Sequence, residues 1–459
     1  MYREDTIAAI ATPPGEGGVA IVRMSGPDAE QIAGRLFARS EGKDGKLKSN
    51  TLYHGTIRVP KTDRVLDEVL LAVMRKPRSY TGEDIVEIHC HGGAFLVQEI
   101  LGVVLSQGAR HAEPGEFTKR AFLNGKIDLA QAEAVVDLIR ARTDKAVELA
   151  HNQFEGGLSN WVHELRENLL DILVQVEAAI DFPEEEIELL KRPELVDKIS
   201  ALRLKIQVII DTYEWGRLFR EGARVCICGR PNTGKSSLLN ALLGESRVIV
   251  TSVPGTTRDV IEESINLKGL PVVLWDTAGI RETRDEIEKI GVELSRQHLE
   301  KADAVVLVLD GAEALTDADR YLLDLSAGKK RLIVVNKNDL SQRINCDELE
   351  KNLEPGSVLL SISAKTGKGM EELRALVRQL LVKSNLETSV VLTNVRHKSA
   401  LLGSLEALSR SVTALNEYHA PEFVAVDLNE AREGLEEVIG LVNNDDILER
   451  VFANFCVGK

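Results

Sequence analysis

Cysteine is scarce in this chain: five in 459 residues, an odd number at irregular spacing. With no CxxC pair among them, neither a structural zinc site nor a disulfide framework is expected, and a reducing compartment, the cytoplasm, is. Long apolar runs are also missing, since stretches such as AVVLVL at residues 304–309 reach six residues, where a membrane-spanning helix needs roughly 20. The N-terminus MYREDTIAAIATPPGEGG has no basic start followed by an apolar stretch, so no secretory signal is expected. Positive charge is in deficit as well, with 57 basic against 72 acidic residues and a net charge of −15. A surface that binds nucleic acid everywhere is thereby excluded, and any polyanionic partner needs a local patch. Residues 1–120 are the exception, carrying 16 basic and 16 acidic side chains. Internal repeats and low-complexity tracts are absent.

What remains is an ordinary globular composition, 44% hydrophobic and 28% charged, on a chain long enough for about three domains at roughly 150 residues each. The first 119 residues mix short β-rich runs (TIAAIA, VAIVRM, EVLLAVM, DIVEIHC) with Gly and Pro punctuation and read as an α+β unit. Apolar residues then recur at three-to-four spacing over residues 120–219, predicting long helices. Residues 220–380 alternate apolar strands (ARVCICG, VVLWD, AVVLVLD, RLIVVNK) with helical patterns, as a parallel α/β domain does. Helical texture returns over 381–459. The expected architecture is therefore multidomain α/β plus all-α, with an α/β domain inserted into a helical one. The acidic cluster over residues 181–188 reads as a solvated turn and helix start.

The inserted domain carries the chemistry. After the strand ARVCIC comes Gly229-Arg-Pro-Asn232-Thr233-Gly234-Lys235-Ser236-Ser237 leading into a helical pattern, the context of a phosphate loop. Backbone N–H groups and a helix N-terminus cradle phosphate oxygens there, a lysine reaches the terminal phosphates, and a serine ligates Mg²⁺. Asp276-Thr277-Ala278-Gly279 follows an apolar strand, placing a carboxylate for the metal shell and a glycine amide for the γ-phosphate. Asn336-Lys337-Asn338-Asp339 follows another strand, and its aspartate can accept from the paired N1 and N2 donors of guanine, which adenine lacks. Ser363-Ala364-Lys365 ends a further strand, where a backbone amide can meet guanine O6. All four in order predict a guanine-nucleotide domain of Ras-like type. The residue after DTAG is Ile280, where Ras-type enzymes orient the attacking water with glutamine. Asn232, a monovalent cation, and an acid in the stretch RETRDEIEKIG are the alternatives. Gly255-Thr256-Thr257-Arg-Asp has the form of a first switch, with a threonine hydroxyl for Mg²⁺.

Two cysteines, Cys226 and Cys228, alternate onto one face of a strand and are expected in the core. In His89-Cys90-His91 the strand period turns the histidines one way and the cysteine the other, so the three cannot ligate one metal.

The strings GRPNTGKSSLLNAL, GTTRD and the terminal Phe455-Cys456-Val457-Gly458-Lys459, with DTIAAIATPPGEGGVAIVRMSG, SYTGEDIVEIHCHGG and PGEFTKRAFLNGKIDLAQAEAVVDLI, make the whole chain resemble the MnmE (TrmE) family of tRNA modification GTPases. Departures are small: Thr233 where Ala or Val is common, and Val457 in a tail that is often FCIGK. The resemblance implies an N-terminal tetrahydrofolate-binding and dimerisation domain, a helical domain in two parts, and an inserted G domain. It implies a homodimer that, with the FAD-dependent partner MnmG (GidA), forms the carboxymethylaminomethyl group on the wobble uridine of certain tRNAs. Hydrolysis of GTP to GDP would occur as two G domains meet around K⁺. Carried over residue by residue, the K⁺ ligands are Asn232, Thr251, Val253 and Thr256, the Mg²⁺ ligands are Ser236 and Thr257, and Glu288 positions water. The nucleotide would be lined by residues 232–237, Thr251, Ser252, Val253, Pro254, Gly255, Thr256 and Thr257, together with the DTAG, NKND and SAK segments. Arg23, Glu83, Lys126 and Lys459 would hold 5-formyltetrahydrofolate or a related reduced folate. Cys456 is read either as a thiol presented to a one-carbon or tRNA intermediate or as an inert cysteine in a packing tail. The nucleotide motifs alone would equally fit a ribosome-assembly GTPase switch, although no basic appendage accompanies them, or a folate-dependent methyltransferase with a structural G domain.

Overall fold

The computed structural model describes residues 4–40, 47–60, 62–181, 191–246, 263–276, 298–351, 353–354, 357–382, 390–442 and 445–459. Thr251 to Thr257, Thr277 to Gly279, Ile280 and Glu288 lie outside them, as does the acidic cluster beyond Asp181.

Seven strands form the first sheet: β1 Ile7–Ile10, β2 Gly17–Ser25, β3 Phe37–Arg39, β4 Thr51–Arg58, β5 Val65–Met74, β6 Ile85–Gly92 and β7 Arg110–His111, in the order β3-β4-β5-β6-β2-β1-β7. All neighbours are antiparallel except β1 and β7, which run parallel. Strand alternation buries Val22, Met24, Val69, Leu71, Val86 and Ile88 against the helices Ala29–Leu36 and Ala94–Ser106. That leaves the opposite face of β2, with Arg23, free for other work. Strand β4 has no counterpart among the β-rich runs read from sequence, because His54, Gly55 and Thr56 interrupt its apolar pattern.

The helical stretch after residue 115 is shorter-stepped than its periodicity suggests. It divides into Glu116–Leu123, Leu129–Arg140, Asp144–Phe154 and Gly157–Asp181. Asp128 starts the second helix with a reciprocal capping box to Gln131, and the Thr143 hydroxyl caps the third by accepting from Ala146 N–H, each satisfying amides that would otherwise be orphaned. Helices Gly157–Asp181 and Arg192–Ile210 then share a core with Val395–Asn416 and Pro421–Ile439. Residues from both sides of the second sheet therefore build one helical body.

Between them sits a six-stranded sheet in the order β13-β12-β11-β8-β10-β9, made of β8 Ala223–Cys228, β9 Glu263–Leu267, β10 Leu270–Asp276, β11 Ala304–Asp310, β12 Arg331–Asn336 and β13 Val358–Ser361. It is parallel except for the edge strand β9, which pairs antiparallel with β10. β11 and β12 are buried at every position, as strands covered on both faces must be. Cys226 and Cys228 lie in this core, with burial pushing the Cys228 thiol up to about 12. The helix Tyr213–Glu221 bridges the two cores, with Tyr213 in the helical body and Leu218 and Phe219 under the sheet. Among the described residues no helix is long and apolar enough to cross a membrane.

Candidate nucleotide site and the corner beneath the C-terminal segment

In a parallel sheet, ligands bind at the carboxyl ends of the strands, and here the loops after β8, β11 and β12 and the segment after β13 converge at that edge. The loop after β8 turns through Gly229 (φ +155°), Asn232 (φ +65°) and Gly234 (φ +92°) into the helix Lys235–Ser246. Gly234 has no alternative: a Cβ there would lie 2.3 Å from Asn336 Nδ2. Asparagine tolerates the left-handed region better than most residues, which suits it to position 232. Thr233 is buried, and its hydroxyl donates to Arg230 O at 3.0 Å. Lys235 Nζ donates to the carbonyls of Gly229 (2.9 Å) and Arg230 (2.7 Å), so its ammonium lies inside the loop. Ser236 and Ser237 are exposed on the first helical turn, where helix N–H groups lack intrahelical acceptors.

Asn336 joins this loop to the base-reading segment. Its Nδ2 donates to Thr233 O at 2.9 Å, while its Oδ1 accepts from Ala364 N–H at 3.0 Å. Asn338 N–H donates to Ile362 O. The Ser363 hydroxyl donates to Asp339 Oδ1 at 2.7 Å, and that bond holds the Asp339 carboxyl below the usual carboxylate range. Asp339 is thus an ionised, oriented acceptor, as recognition of two N–H donors on a base edge requires. The phosphate loop, NKND and SAK segments meet at this edge through Asn336. Asp276 ends β10 beside β8. Two positions not singled out from sequence also belong here. Arg230 Nε pairs with the buried Asp319 at 2.8 Å, and Asp310, at the end of β11, pairs with Lys337. The signal for Asp310 was present as a charge closing an otherwise apolar strand.

The residues expected to hold folate meet on the free face of β2. Arg23 and Ser25 stand two apart on that face. Arg23 Nε pairs with Glu87 at 2.8 Å, and its guanidinium lies over the rings of Phe117 (5.7 Å) and Tyr80 (5.9 Å). Ser25 Oγ donates to Glu83 at 2.6 Å, and Arg120, 3% exposed, pairs with Glu83 at 3.1 Å and also with Asp5 and Glu116. Lys126 packs its stem over Gly82 and donates to Pro77 O at 3.1 Å. The C-terminal segment closes this corner. Val457 bridges to Pro114, Gly458 O accepts from Arg23 at 3.3 Å, and Lys459 O accepts from Phe117 N–H at 3.2 Å. Burial, and then the Arg23 charge, push the Lys459 ammonium below its ordinary value. Cys456 is exposed beside it. Arg120 and Glu87 escaped sequence reasoning because the partners that place them at this corner, Asp5 and Glu83 for Arg120 and Arg23 for Glu87, lie far away in the chain.

Elsewhere on this sheet, Cys90 is buried, with its thiol pushed up to about 11 by burial, whereas His91 is exposed and accepts no shared role with it.

Two family profiles match the chain: "GTP-binding protein TrmE N-terminus" over residues 6–126 and "MnmE helical domain" over residues 129–456. Curated relatives match from end to end. The tRNA modification GTPase MnmE of Clostridioides difficile strain 630 is 46% identical over 462 residues, covering 100% of both chains. That of Natranaerobius thermophilus is 44% identical over 458 residues, covering 99% of this chain and 100% of its own. The Geobacillus thermodenitrificans protein of the same name is 46% identical over 463 residues, again covering 100% of each.

Proposed function

The chain belongs to the MnmE family of tRNA modification GTPases, and on that premise we propose how its GTP hydrolysis and its tRNA chemistry are divided between two sites. As a member it is a GTP-hydrolysing enzyme of tRNA modification that binds GTP, GDP and tRNA and uses Mg²⁺. The finer reading assigns residues 220–380 to a G domain, 120–219 and 381–459 to the helical body, and 1–119 to a folate-binding and dimerisation domain. It has the protein act as a homodimer with an FAD-dependent partner, MnmG, to form the carboxymethylaminomethyl group on wobble uridine. A ribosome-assembly switch loses its support, because the flanking regions match tRNA-modification relatives along their whole length.

In this reading Asp339 accepts from the guanine edge, Lys235 and the loop amides bind phosphate, and Ser236, Thr257 and Asp276 hold Mg²⁺, which neutralises charge developing on the phosphates. Asn232, Thr251, Val253 and Thr256 hold K⁺, which supplies the positive charge an arginine finger would otherwise bring. Glu288 orients water in place of the glutamine that Ile280 replaces. The exposed hydroxyl of Ser236 at a helix N-terminus and the exposed Asn232 are suitable oxygen donors for such ions. At the second site, Glu83 offers a carboxylate suited to the donors of a pterin edge, and Arg23 and the lysines suit the carboxylates of a glutamyl tail. Cys456 sits at the rim of that corner.

The observation that carries the proposal is the Asn336 link, which makes one rigid unit of the phosphate loop and an ionised guanine acceptor. The test is the GTPase rate of the full chain in KCl against NaCl at equal ionic strength, with Asn232→Ala alongside. K⁺ stimulation of tenfold or more, lost in the variant, supports the reading. Equal rates in the two salts overturn its K⁺ mechanism.

A further inference from the structure

Asp310 closes β11 and lies directly across from Asn336 in the register of β11 with β12. The next residue along β12 is Lys337, whose backbone turns into the left-handed region at φ +65°. A lysine gains nothing intrinsic from that conformation, which is unfavourable for a residue bearing a Cβ, and strained backbone of this kind concentrates where ligands are clamped. The turn sends the Lys337 stem back across the gap between the ends of β11 and β12, where its ammonium pairs with Asp310 Oδ2. Asp310 is itself immobile: it is 5% exposed, and its other oxygen accepts from Ala312 N–H at 3.0 Å. Gln342 braces the loop from behind by donating to Lys337 O at 2.9 Å.

We propose that Asp310 is a positioning residue for guanine-nucleotide binding, one that holds the Lys337 side chain extended so that its four-carbon stem forms a preset platform for the face of the base whose edge Asp339 reads. The inference rests on the reading of this edge as the GTP site. The four-carbon stem of lysine carries substantial rotamer entropy, and a stem free to sweep solvent would lose much of it each time a nucleotide bound. With the ammonium already anchored in the unliganded protein, that ordering precedes binding and the loss falls on folding. Lys337 is partly exposed at 31% of its side chain, so the platform is open to a ligand. Asp310 does not touch the nucleotide in this scheme and acts only through Lys337.

The experiment is release of mant-GDP from the full-length protein, followed by stopped-flow fluorescence. Four variants are compared: Asp310→Asn, which keeps an acceptor for Ala312 N–H, then Lys337→Met, Lys337→Arg and the double variant Asp310→Asn/Lys337→Met. Asp310→Asn is expected to accelerate release about 5- to 10-fold, the scale of one partly buried charge pair. The double variant is expected to release within twofold of Lys337→Met alone. Lys337→Arg, which retains a cation for Asp310, should stay within about threefold of the parent, while Lys337→Met, which retains only an apolar stem, should not. Multiplying effects in the double variant, or unchanged release in Asp310→Asn, overturn the proposal. If Asp310→Asn does not fold, equal release from the Arg and Met variants overturns it independently. Failure of the parent protein to prefer mant-GDP over mant-ADP would instead sink the GTP-site reading and this inference with it.

Discussion

Arg220 meets Asp137 at 2.8 Å where the helix that leads into the six-stranded sheet crosses the helix Leu129–Arg140. Eight residues beyond Arg220 the chain reaches Cys228 and then the phosphate loop, so this pair fixes the approach of the nucleotide site to the rest of the molecule. Burial raises the Asp137 carboxyl despite the neighbouring guanidinium, which means that Asp137 is costly to keep ionised and depends on Arg220. Arg220→Met is expected to destabilise the protein by about 2–3 kcal/mol, and Asp137→Leu/Arg220→Met by clearly less than the two single changes together. Thermal or urea unfolding of the four proteins tests this; strictly additive losses would refute the coupling.

Beside that pair, Glu133 is clasped by Arg396 through two bonds of 2.9 Å and by His397 Nε2 at 2.6 Å. Arg396 also donates to the carbonyls of Glu437 and Val438, closing the end of the helix Pro421–Ile439. His397 is wholly buried, and burial drives its pKa below the ordinary 6.5, so it is neutral with Nε2 as the donor. A base whose folded pKa is depressed protects the fold above its unfolded value and withdraws that protection as pH falls below about 6.5. The melting temperature should therefore fall between pH 7.5 and 5.5, and the fall should be shallower in His397→Gln, which keeps a donor toward Glu133 without titrating. Parallel slopes in the two proteins would dismiss His397 as the sensitive group.

Arg230 braces the phosphate loop from outside by pairing with Asp319, whose other oxygen is held by the Thr316 hydroxyl at 2.8 Å. Arg230→Ala should weaken GDP binding about 3- to 10-fold through a less ordered loop, with a smaller effect on unfolding because Asp319 keeps the Thr316 partner. Titration with mant-GDP gives the answer; a lowered melting temperature with unchanged affinity would show the brace to be merely structural.

At the corner proposed to hold folate, Gly458 adopts φ +97° with Ile10 O only 2.3 Å from where a Cβ would stand. Gly458→Ala should lever residues 456–459 off Pro114 and Phe117. Faster hydrogen exchange at the Phe117 amide and at least threefold weaker binding of 5-formyltetrahydrofolate are expected; unaltered exchange would mean that the segment tolerates the methyl group and docks by other contacts.

Much of this architecture is legible because some segments admit one reading. Strands β8, β11 and β12 are nearly all apolar, as strands of a sheet covered on both faces are, and β11 and β12 end in the polar residues Asp310 and Asn336. The helical stretch after residue 115 was harder, since its three-to-four spacing runs on past Asp128 and Thr143 and only the caps show where the backbone stops. The edge strand β9 and the interrupted β4 carry too little apolar signal to stand out. Pairings such as Arg120 with Asp5, 115 positions apart, or Glu133 with Arg396, 263 apart, depend on packing that no local pattern encodes. In the nucleotide site the motif residues are legible; Asp310 shows only as a charge closing an apolar strand, and the supporting roles of Arg230 and Asp310 are not legible, because a support is defined by what it touches.

The bond from Arg23 to Gly458 spans 435 positions of sequence. The first sheet closes with His111, 347 positions before Gly458, so a ribosome adding roughly 5–20 residues per second exposes it on the order of 20–70 s before the segment that walls its corner exists. Through that interval Arg23, Tyr80 and Phe117 face solvent or a chaperone, and the corner becomes competent only after the helical body has gathered its two halves. Docking of residues 456–459 on that corner therefore reports that the stretch between them and the first sheet has folded.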